Sequence, residues 1–483
     1  MENLIYVFVP FRVSGREAFF NAAAGGGDGL WEDNSKQIRS YFFKHLTDKV
    51  VAQPKGEMDR RCCVFLGLKE KRMGRKGDRP TDEWDRACDE QWRGLGFSLA
   101  DRFHLTPPSY LVELYPNVDM AFRIESLKLA AFKTGIGLVA FGVTFEETDP
   151  MALARAEYLL KLAAEDLDQQ SMYYEKNSLL RKEGETMPTN FTALSRRVIG
   201  TLLETVVTEP DFGFYCQKPR AHLMSLVMVP EKSDGEGYQK ELYYLRNGFG
   251  DGYMYPDGGD DGTSVVLGDP NIRWGVSNEV TCCLVRPDLF PQSRNFIMDS
   301  FRYKFCREYL FMYLWLLHQK YALYAFLTDI SKKGLDVGGA GRLRQLRDYK
   351  TEFAFFESNF VFGRVADVPQ YQQLYDAVYG QFALKTMDAD VREPLVLLED
   401  IAKEEQQRHE TRVTMILAGV AIFSIFSAYI DSYEFIGKFF GGDLARHPSG
   451  VRLCQLACVG VITFALVIGL VFLFGCYAKR RRS

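Results

Sequence analysis

Two long stretches in the last seventy residues of the chain contain no charged residue. The first runs from Val413 to Ile430 (VTMILAGVAIFSIFSAYI), and the second runs from Leu453 to Tyr477 (LCQLACVGVITFALVIGLVFLFGCY). An α-helix rises about 1.5 Å per residue, so these stretches would measure roughly 27 Å and 37 Å against a hydrocarbon core of about 30 Å. The pattern predicts a hairpin of two transmembrane helices, 413–430 and 453–477, within a C-terminal region 413–483.

Basic residues flank this predicted hairpin on one side. The run KRRR at 479–482 follows the second stretch, and Arg408 and Arg412 precede the first, whereas three acidic residues offset the three basic ones of the connecting loop. The positive-inside rule then places both termini in the cytoplasm. The N-terminal sequence MENLIYVFVPFR lacks the features of a signal peptide. We therefore expect a multi-pass protein of the cytoplasmic (inner) cell membrane, with its larger part in the cytosol.

Short runs of β-branched and aromatic residues in the first 290 positions are typical of strands. Helical segments are predicted between them, most clearly over Met151–Asp166, where Asp149 takes the N-cap position and Pro150 the first helical position. This alternation predicts an α+β domain, α/β-like in its order of elements, over residues 1–290. The predicted strands are Leu4–Phe11, Cys62–Leu68, Ile136–Phe145, Leu223–Val229 and Val280–Val285.

Beyond about residue 291 the pattern is almost wholly helical. The apolar pieces Tyr309–Leu317 and Tyr321–Leu327 are separated by a polar triplet, and each is too short to cross a membrane, so a long helix buried in the protein is predicted there. No helix breaker occurs between Leu395 and Ile430, which predicts one helix that continues into the first span. Residues 291–412 are therefore predicted to form a helical stalk.

Five residues of the first span recur at intervals of three and four and so share one helical face: Leu417, Val420, Ser424, Ser427 and Asp431. Around an axis formed by several copies, this stripe would give a hydrophobic constriction, two rings of hydroxyl groups and an acidic ring that attracts cations. The same serines could instead hydrogen-bond backbone carbonyl groups in a packed helix pair. The stripe is therefore a candidate pore lining, and Asp431 is a weak candidate for a metal contact.

Charge is divided unevenly along the chain. The formal net charge is −4, and residues 413–483 hold seven basic and three acidic side chains, so residues 1–412 carry −8. An acidic body of this kind is not expected to bind DNA or RNA directly. The ten cysteines include no CxxC spacing, which favours reduced thiols.

Two polar segments of the predicted α+β domain are candidate ligand sites. A basic, glycine-containing run follows a predicted strand and could offer charge and backbone N–H groups to the phosphates of a nucleotide, although a solvated basic loop is the alternative. The Gly- and Asp-rich stretch 246–263 could present Asp257, Asp260 and Asp261 to a divalent cation, or be an acidic loop without a ligand. The basic residues concerned are Lys69, Lys71, Arg72, Arg75 and Lys76.

Catalytic motifs are not evident. The six histidines are scattered, and neither an HExxH pair nor a GxSxG elbow occurs. The sequence therefore does not predict an enzyme, and no cofactor is expected other than a divalent cation or a nucleotide ligand.

The layout resembles the CorA family of divalent-metal transport proteins. The resemblance rests on an acidic cytosolic domain, a long helix that continues into the first span, a short outer loop, a second span and the basic tail, and it is strongest over 343–483. It implies a homo-oligomer, a pentamer in that family, whose first spans line a pore. One departure is that the Gly-Met-Asn signature at the outer end of the first span is replaced by residues 428–433 (AYIDSY).

The missing signature changes the functional expectation. Its oxygens hold hydrated magnesium in the family, so magnesium selectivity is not implied here. CorA-like membrane proteins associated with type III CRISPR systems also lack it, and in those a nucleotide second messenger is thought to act on the cytosolic domain as part of antiviral defence. The resemblance thus implies a ligand-gated, homo-oligomeric ion channel of that kind. A divalent-cation transporter, and a membrane-anchored enzyme or scaffold that uses the hairpin as a tether, are the alternatives.

Overall fold

The fold is described from a computed structural model. It describes residues 3–25, 31–38, 42–51, 60–68, 92–93, 95–108, 120–147, 149–164, 179–203, 209–216, 219–229, 239–248, 255, 264–266, 271–286, 300–333 and 340–440, and positions 457, 461, 465 and 469. The chain forms two compact units. The first contains Met1–Val337 and Arg347–Val396, and the second contains Gly338–Leu346 and Leu397–Ser483.

The first unit is built on one large sheet. Within the described residues it has eleven strands, in the order β2-β3-β5-β6-β1-β8-β11-β10-β9, and β4 pairs with both β5 and β7. All pairs are antiparallel except β8 with β11. The strands are β1 (Asn3–Arg12), β2 (Glu32–Asp33), β3 (Cys63–Gly67), β4 (Arg102–Thr106), β5 (Met120–Phe132), β6 (Ile136–Phe145), β7 (Leu179–Lys182), β8 (His222–Met228), β9 (Ser264–Val266), β10 (Ile272–Val276) and β11 (Val280–Val285). The predicted α+β class is confirmed.

Helices cover both faces of this sheet. A π-helical turn at Phe305–Tyr309 leads directly into the long helix α7 (Leu310–Lys333). The helices are α1 (Arg16–Ala24), α2 (Lys44–Thr47), α3 (Pro150–Leu162), α4 (Phe191–Leu203), α5 (Gln239–Asn247), α6 (Arg302–Lys304), α7 (Leu310–Lys333), α8 (Ala340–Phe360), α9 (Pro369–Gln381) and α10 (Leu384–Phe440).

The central strand β1 shows why two helical layers are needed. Successive side chains of a strand point to opposite faces. Ile5 and Val7 belong to one hydrophobic core with α1, α3, α4 and α5, and Leu4 and Tyr6 belong to a second core with α7 and α9. Because both sets are apolar and buried, each face must be covered by helices.

The first-face helix α3 begins as its sequence predicts. The Asp149 side chain accepts a hydrogen bond from the backbone N–H of Ala152 at 2.9 Å, and Pro150 occupies the first turn. The helix ends at Leu162 rather than at the predicted Asp166, since Ala163 already has non-helical backbone angles.

The second-face helix α7 includes the two apolar pieces predicted to be buried. Its side chains from Leu310 to Leu323 are buried on all sides, including the polar triplet at 318–320. Trp315 lies against Phe132 and Phe360, and its indole N–H donates to the carbonyl oxygen of Phe360 at 3.0 Å. The prediction of a long buried helix is confirmed.

The turn between β5 and β6 depends on Gly135, which has a φ of +84°. A Cβ added there would lie 2.8 Å from the carbonyl oxygen of Val13 and 2.7 Å from Cγ of Arg16. We expect Gly135→Ala to lower the free energy of unfolding by about 2–3 kcal/mol, because a left-handed backbone conformation and a close contact both oppose it.

Gly184→Ala is the matched control for this prediction. Gly184 has nearly the same φ, +82°, but a Cβ there would have no neighbour within 4 Å. Urea unfolding gives the free energy of unfolding of both variants. Gly184→Ala measures the cost of backbone strain alone, and the additional loss in Gly135→Ala measures the cost of the close contact. Equal destabilisation by both substitutions would contradict the role given to the contact with Val13 and Arg16.

The long helix α10 spans 57 residues and contains Pro394. It begins before this proline, at Leu384, although the pattern alone indicated continuity only from Leu395. An arginine in the preceding turn, Arg392, forms ion pairs with Asp388 and Glu357. The part of α10 up to Val396 belongs to the first unit, and the part from Leu397 belongs to the second.

Candidate functional sites

One helix of the described chain is long and apolar enough to cross a membrane, and it is α10 over Leu384–Ala428. None of its most apolar eighteen-residue window is buried. Phe423 is 80% exposed and Ile416 is 66% exposed. Exposing large apolar side chains to water costs about 25 cal/mol per Å², so an exposed apolar helix of this length could be a membrane span.

The five predicted pore-lining residues lie on this continuous helix. Leu417 is 62% exposed and Val420 is 57% exposed. Ser424, Ser427 and Asp431 are exposed as well. The helix thus brings the stripe onto one face, with no backbone break from Leu417 to Asp431.

The polar part of α10 before the apolar segment is stabilised by its own side chains. Lys403 pairs with Glu399 at 3.0 Å, and Arg408 pairs with Glu404 at 2.7 Å. Both pairs have the i, i+4 spacing, which contributes about 0.2–0.5 kcal/mol each in a helix. A helix whose side chains are polar on every face can be stable when several such i, i+4 ion pairs form along it.

The other predicted binding residues lie outside the described part of the chain. These are the basic run (Lys69, Lys71, Arg72, Arg75 and Lys76), the acidic loop residues (Asp257, Asp260 and Asp261), the basic tail, and all but four positions of the second span. Within the described part, no group of three His, Cys, Asp or Glu side chains could hold a metal ion.

A cleft of about 260 Å³ opens in the first unit, at the end of β1. It is lined by side chains from β1, α1, the β5–β6 turn, α7 and α8. The charged ones are Arg12, Arg16, Lys133, Asp329 and Glu352. No local pattern in the sequence indicates this cleft, because its residues are spread from position 12 to position 355.

Two ion pairs of different strength cross this cleft. The Arg12 guanidinium donates to both oxygens of Asp329, at 2.9 and 2.6 Å, and these side chains are 22% and 16% exposed. Arg16 makes a single contact of 3.0 Å with Glu352, and these side chains are 34% and 42% exposed. A bidentate, partly buried pair is the stronger kind, whereas an exposed pair contributes about 0–1 kcal/mol.

A buried polar cluster lies on the other side of the sheet, between α3 and strands β8 and β11. The Lys161 ammonium donates to Glu279 at 2.9 Å and to the carbonyl oxygen of Asn247 at 3.1 Å. Although burial acts in the opposite direction, Lys161 and Arg220 lower the pKa of Glu279. Burial also lowers the pKa of Lys320 to about 7, against the attraction of Glu279.

Glu157 belongs to this cluster but lacks a hydrogen bond of its own. Its side chain is fully buried, and neither carboxylate oxygen has a hydrogen-bond partner among the described residues. Burial raises the pKa of Glu157 to about 8, while the nearby Ser225 hydroxyl and the Lys161 ammonium pull it back. At neutral pH the side chain is therefore mostly a neutral carboxylic acid.

The buried thiols of the sheet do not have the character of nucleophiles. Burial raises the pKa of Cys62 to about 12, and it raises the pKa values of Cys63, Cys282 and Cys283 well above the ordinary thiol range. A nucleophilic cysteine needs a lowered pKa. These four residues are packing residues.

Comparisons of the chain with protein-family models, with curated proteins and with solved structures give no match.

Proposed function

We propose that this chain is a CorA-like, homo-oligomeric ion channel of the cytoplasmic membrane, and not an enzyme. The observation that carries the proposal is the apolar segment of α10. None of its most apolar window is buried, and Leu417, Val420, the two serines and Asp431 lie on one face of an unbroken helix. Two spans per chain cannot enclose a pore, so copies must assemble around it.

The rest of the proposal follows from the sequence and from the resemblance. The first spans line the pore, the second spans (453–477) face lipid, and both termini are cytoplasmic. The sheet unit receives the opening ligand, for which a nucleotide second messenger is our choice, as in CRISPR-associated antiviral effectors. A divalent-cation transporter remains the alternative because Asp431 stands at the predicted mouth and could attract cations.

The first experiment measures oligomeric mass and flux on the full chain. Purified protein in detergent should have a protein mass that is a multiple of 55.2 kDa. In liposomes, Asp431→Asn should lower cation flux severalfold, because removing a ring of carboxylates lowers the local cation concentration. Asp400→Asn, an exposed acid of the same helix before the apolar segment, is the matched control.

Two outcomes would contradict the proposal, the first for the channel as a whole and the second for the role of Asp431. A strictly monomeric protein could not form the pore, and equal flux through Asp431→Asn and wild type would remove Asp431 from the ion path. The proposal that the hairpin is only a tether predicts instead that residues 1–390 retain full activity when released from the membrane.

A further inference from the structure

The cleft at the end of β1 combines charge with an apolar wall. Its charged residues approach from the sheet side and from α7 and α8. The apolar side consists of Ile136, Ala322, Ala325, Phe326 and Phe355. Phe355 is 40% exposed, which is unusual for a large ring that has its own core nearby. A cleft of this composition fits a ligand with one charged end and one apolar end.

One of the two ion pairs holds the cleft together. Arg12 and Asp329 are joined by two hydrogen bonds, and they connect the last residue of β1 to helix α7. Tyr349 lies beside the same carboxylate, and burial together with the charge of Asp329 raises the pKa of its phenol. Asp329 is therefore fully engaged, and this pair is part of the framework of the cleft.

The second pair leaves a cation available to a ligand. Arg16 and Glu352 make one contact, and both side chains are substantially exposed. The aliphatic part of Arg16 lies against Gly135, in the same turn that carries Lys133. Because an exposed single-contact pair is weak, an incoming anion can replace Glu352 as the partner of Arg16 while the bidentate Arg12–Asp329 pair stays intact.

Lys133 supplies the second positive charge. Its ammonium group lies 5.0 Å from the centre of the Phe20 ring, and it has no carboxylate partner among the described residues. Among the described residues that line the cleft there are thus three cationic side chains and two carboxylates, and Lys133 is the cation without a carboxylate partner. Two cationic side chains that line one cleft suit a carboxylate or a phosphate.

From this arrangement we infer that the cleft binds a small organic anion, with its carboxylate or phosphate on Arg16 and Lys133 and its ring or apolar body against Phe326 and Phe355. The volume of 260 Å³ is near the lower end of the range for ligand pockets, about 300–1,000 Å³, so the ligand is a compact one. This inference concerns the sheet unit alone and does not depend on channel formation.

The test is equilibrium binding to the full-length protein in detergent micelles. The probes are phenyl phosphate and benzoate. Inorganic phosphate, which lacks the ring, and benzyl alcohol, which lacks the charge, are the control ligands. At least one of the two aromatic anions should bind saturably, about tenfold more tightly than inorganic phosphate or benzyl alcohol, because ring and charge act together. Whichever of the two aromatic anions binds with the higher affinity shows whether the cleft prefers a phosphate or a carboxylate group.

Variants then locate the binding site. The double variant Arg16→Gln, Lys133→Gln should weaken binding of that anion about tenfold or more, and Phe355→Ala should weaken it without changing the affinity for inorganic phosphate. Lys332→Gln, an exposed lysine of α7 outside the cleft, is the control and should bind like wild type. Unchanged thermal unfolding confirms that each variant is folded. No saturable binding of either aromatic anion, or equal affinity in the double variant, would overturn the inference.

Discussion

Replacement of both Leu417 and Val420 by serine is expected to raise ion flux in the absence of any ligand by about tenfold or more. These are the two apolar residues of the stripe, on the side that the proposed topology places toward the cytosol, and both side chains are exposed. In an assembly whose first spans line the axis, they form the narrow apolar ring that keeps water out of the closed pore. Hydroxyl groups at that level would let water and ions enter. The measurement is the rate of ion efflux from loaded liposomes.

The control places the same two hydroxyl groups on the opposite face of the helix. At about 100° per residue, Met415 and Ile422 lie roughly 140–160° away from Leu417. Serine at both positions should leave ligand-free flux at the wild-type level. If the two double variants leak equally, the defect is general disruption of the span, and Leu417 and Val420 do not form a constriction.

The second large effect is expected at Glu157, where Glu157→Gln should stabilise the first unit at alkaline pH. The pKa of Glu157 is about 8 in the folded protein, against 4.5 as its ordinary value. Below 4.5 the side chain is protonated in both states, and between 4.5 and 8 only the folded state keeps the proton. Wild-type stability therefore falls as pH rises across that window and is level above it.

Glutamine removes this loss because it has no proton to release. At pH 8 the free energy of unfolding of the variant should exceed that of wild type by a few kcal/mol, on a scale of about 1.4 kcal/mol per pH unit. The difference should shrink toward zero near pH 4.5. Urea unfolding at a series of pH values checks this, and Glu17→Gln, at an exposed acid of α1, is the control. A difference that does not vary with pH would show that the buried carboxyl is not the cause.

The strands with the clearest patterns could be predicted from the sequence. Ile136–Phe145 and Val280–Val285 coincide with β6 and β11, since both are dense in apolar and β-branched residues and buried on both faces. The longest strand, β5, was not predicted. Its sequence, MAFRIESLKLAAF, contains alanine, leucine, lysine and glutamate, which favour helices. Pairing with β3, β4 and β6 determines its conformation, and such pairing is not visible in a local window.

The candidate sites also differ in whether they could be predicted from the sequence. The stripe from Leu417 to Asp431 could be read from spacing because it lies within five turns of one helix. The cleft could not, since Arg16, Lys133 and Glu352 are brought together only by the packing of α1, a hairpin turn and α8. Glu157 could not be distinguished from an exposed acid, because its pKa is raised by burial, which the sequence alone does not show.

The sheet of the first unit ends in very short strands. The terminal strands are Glu32–Asp33 and Ser264–Val266, and the side branch ends at Leu179–Lys182. Two of them are too short to offer a continuous row of free backbone groups, and the first also carries two carboxylates, which repel a second acidic edge. In the described part of the chain, these edges therefore give a second copy little backbone to pair with, and the proposed oligomer is expected to assemble through helices.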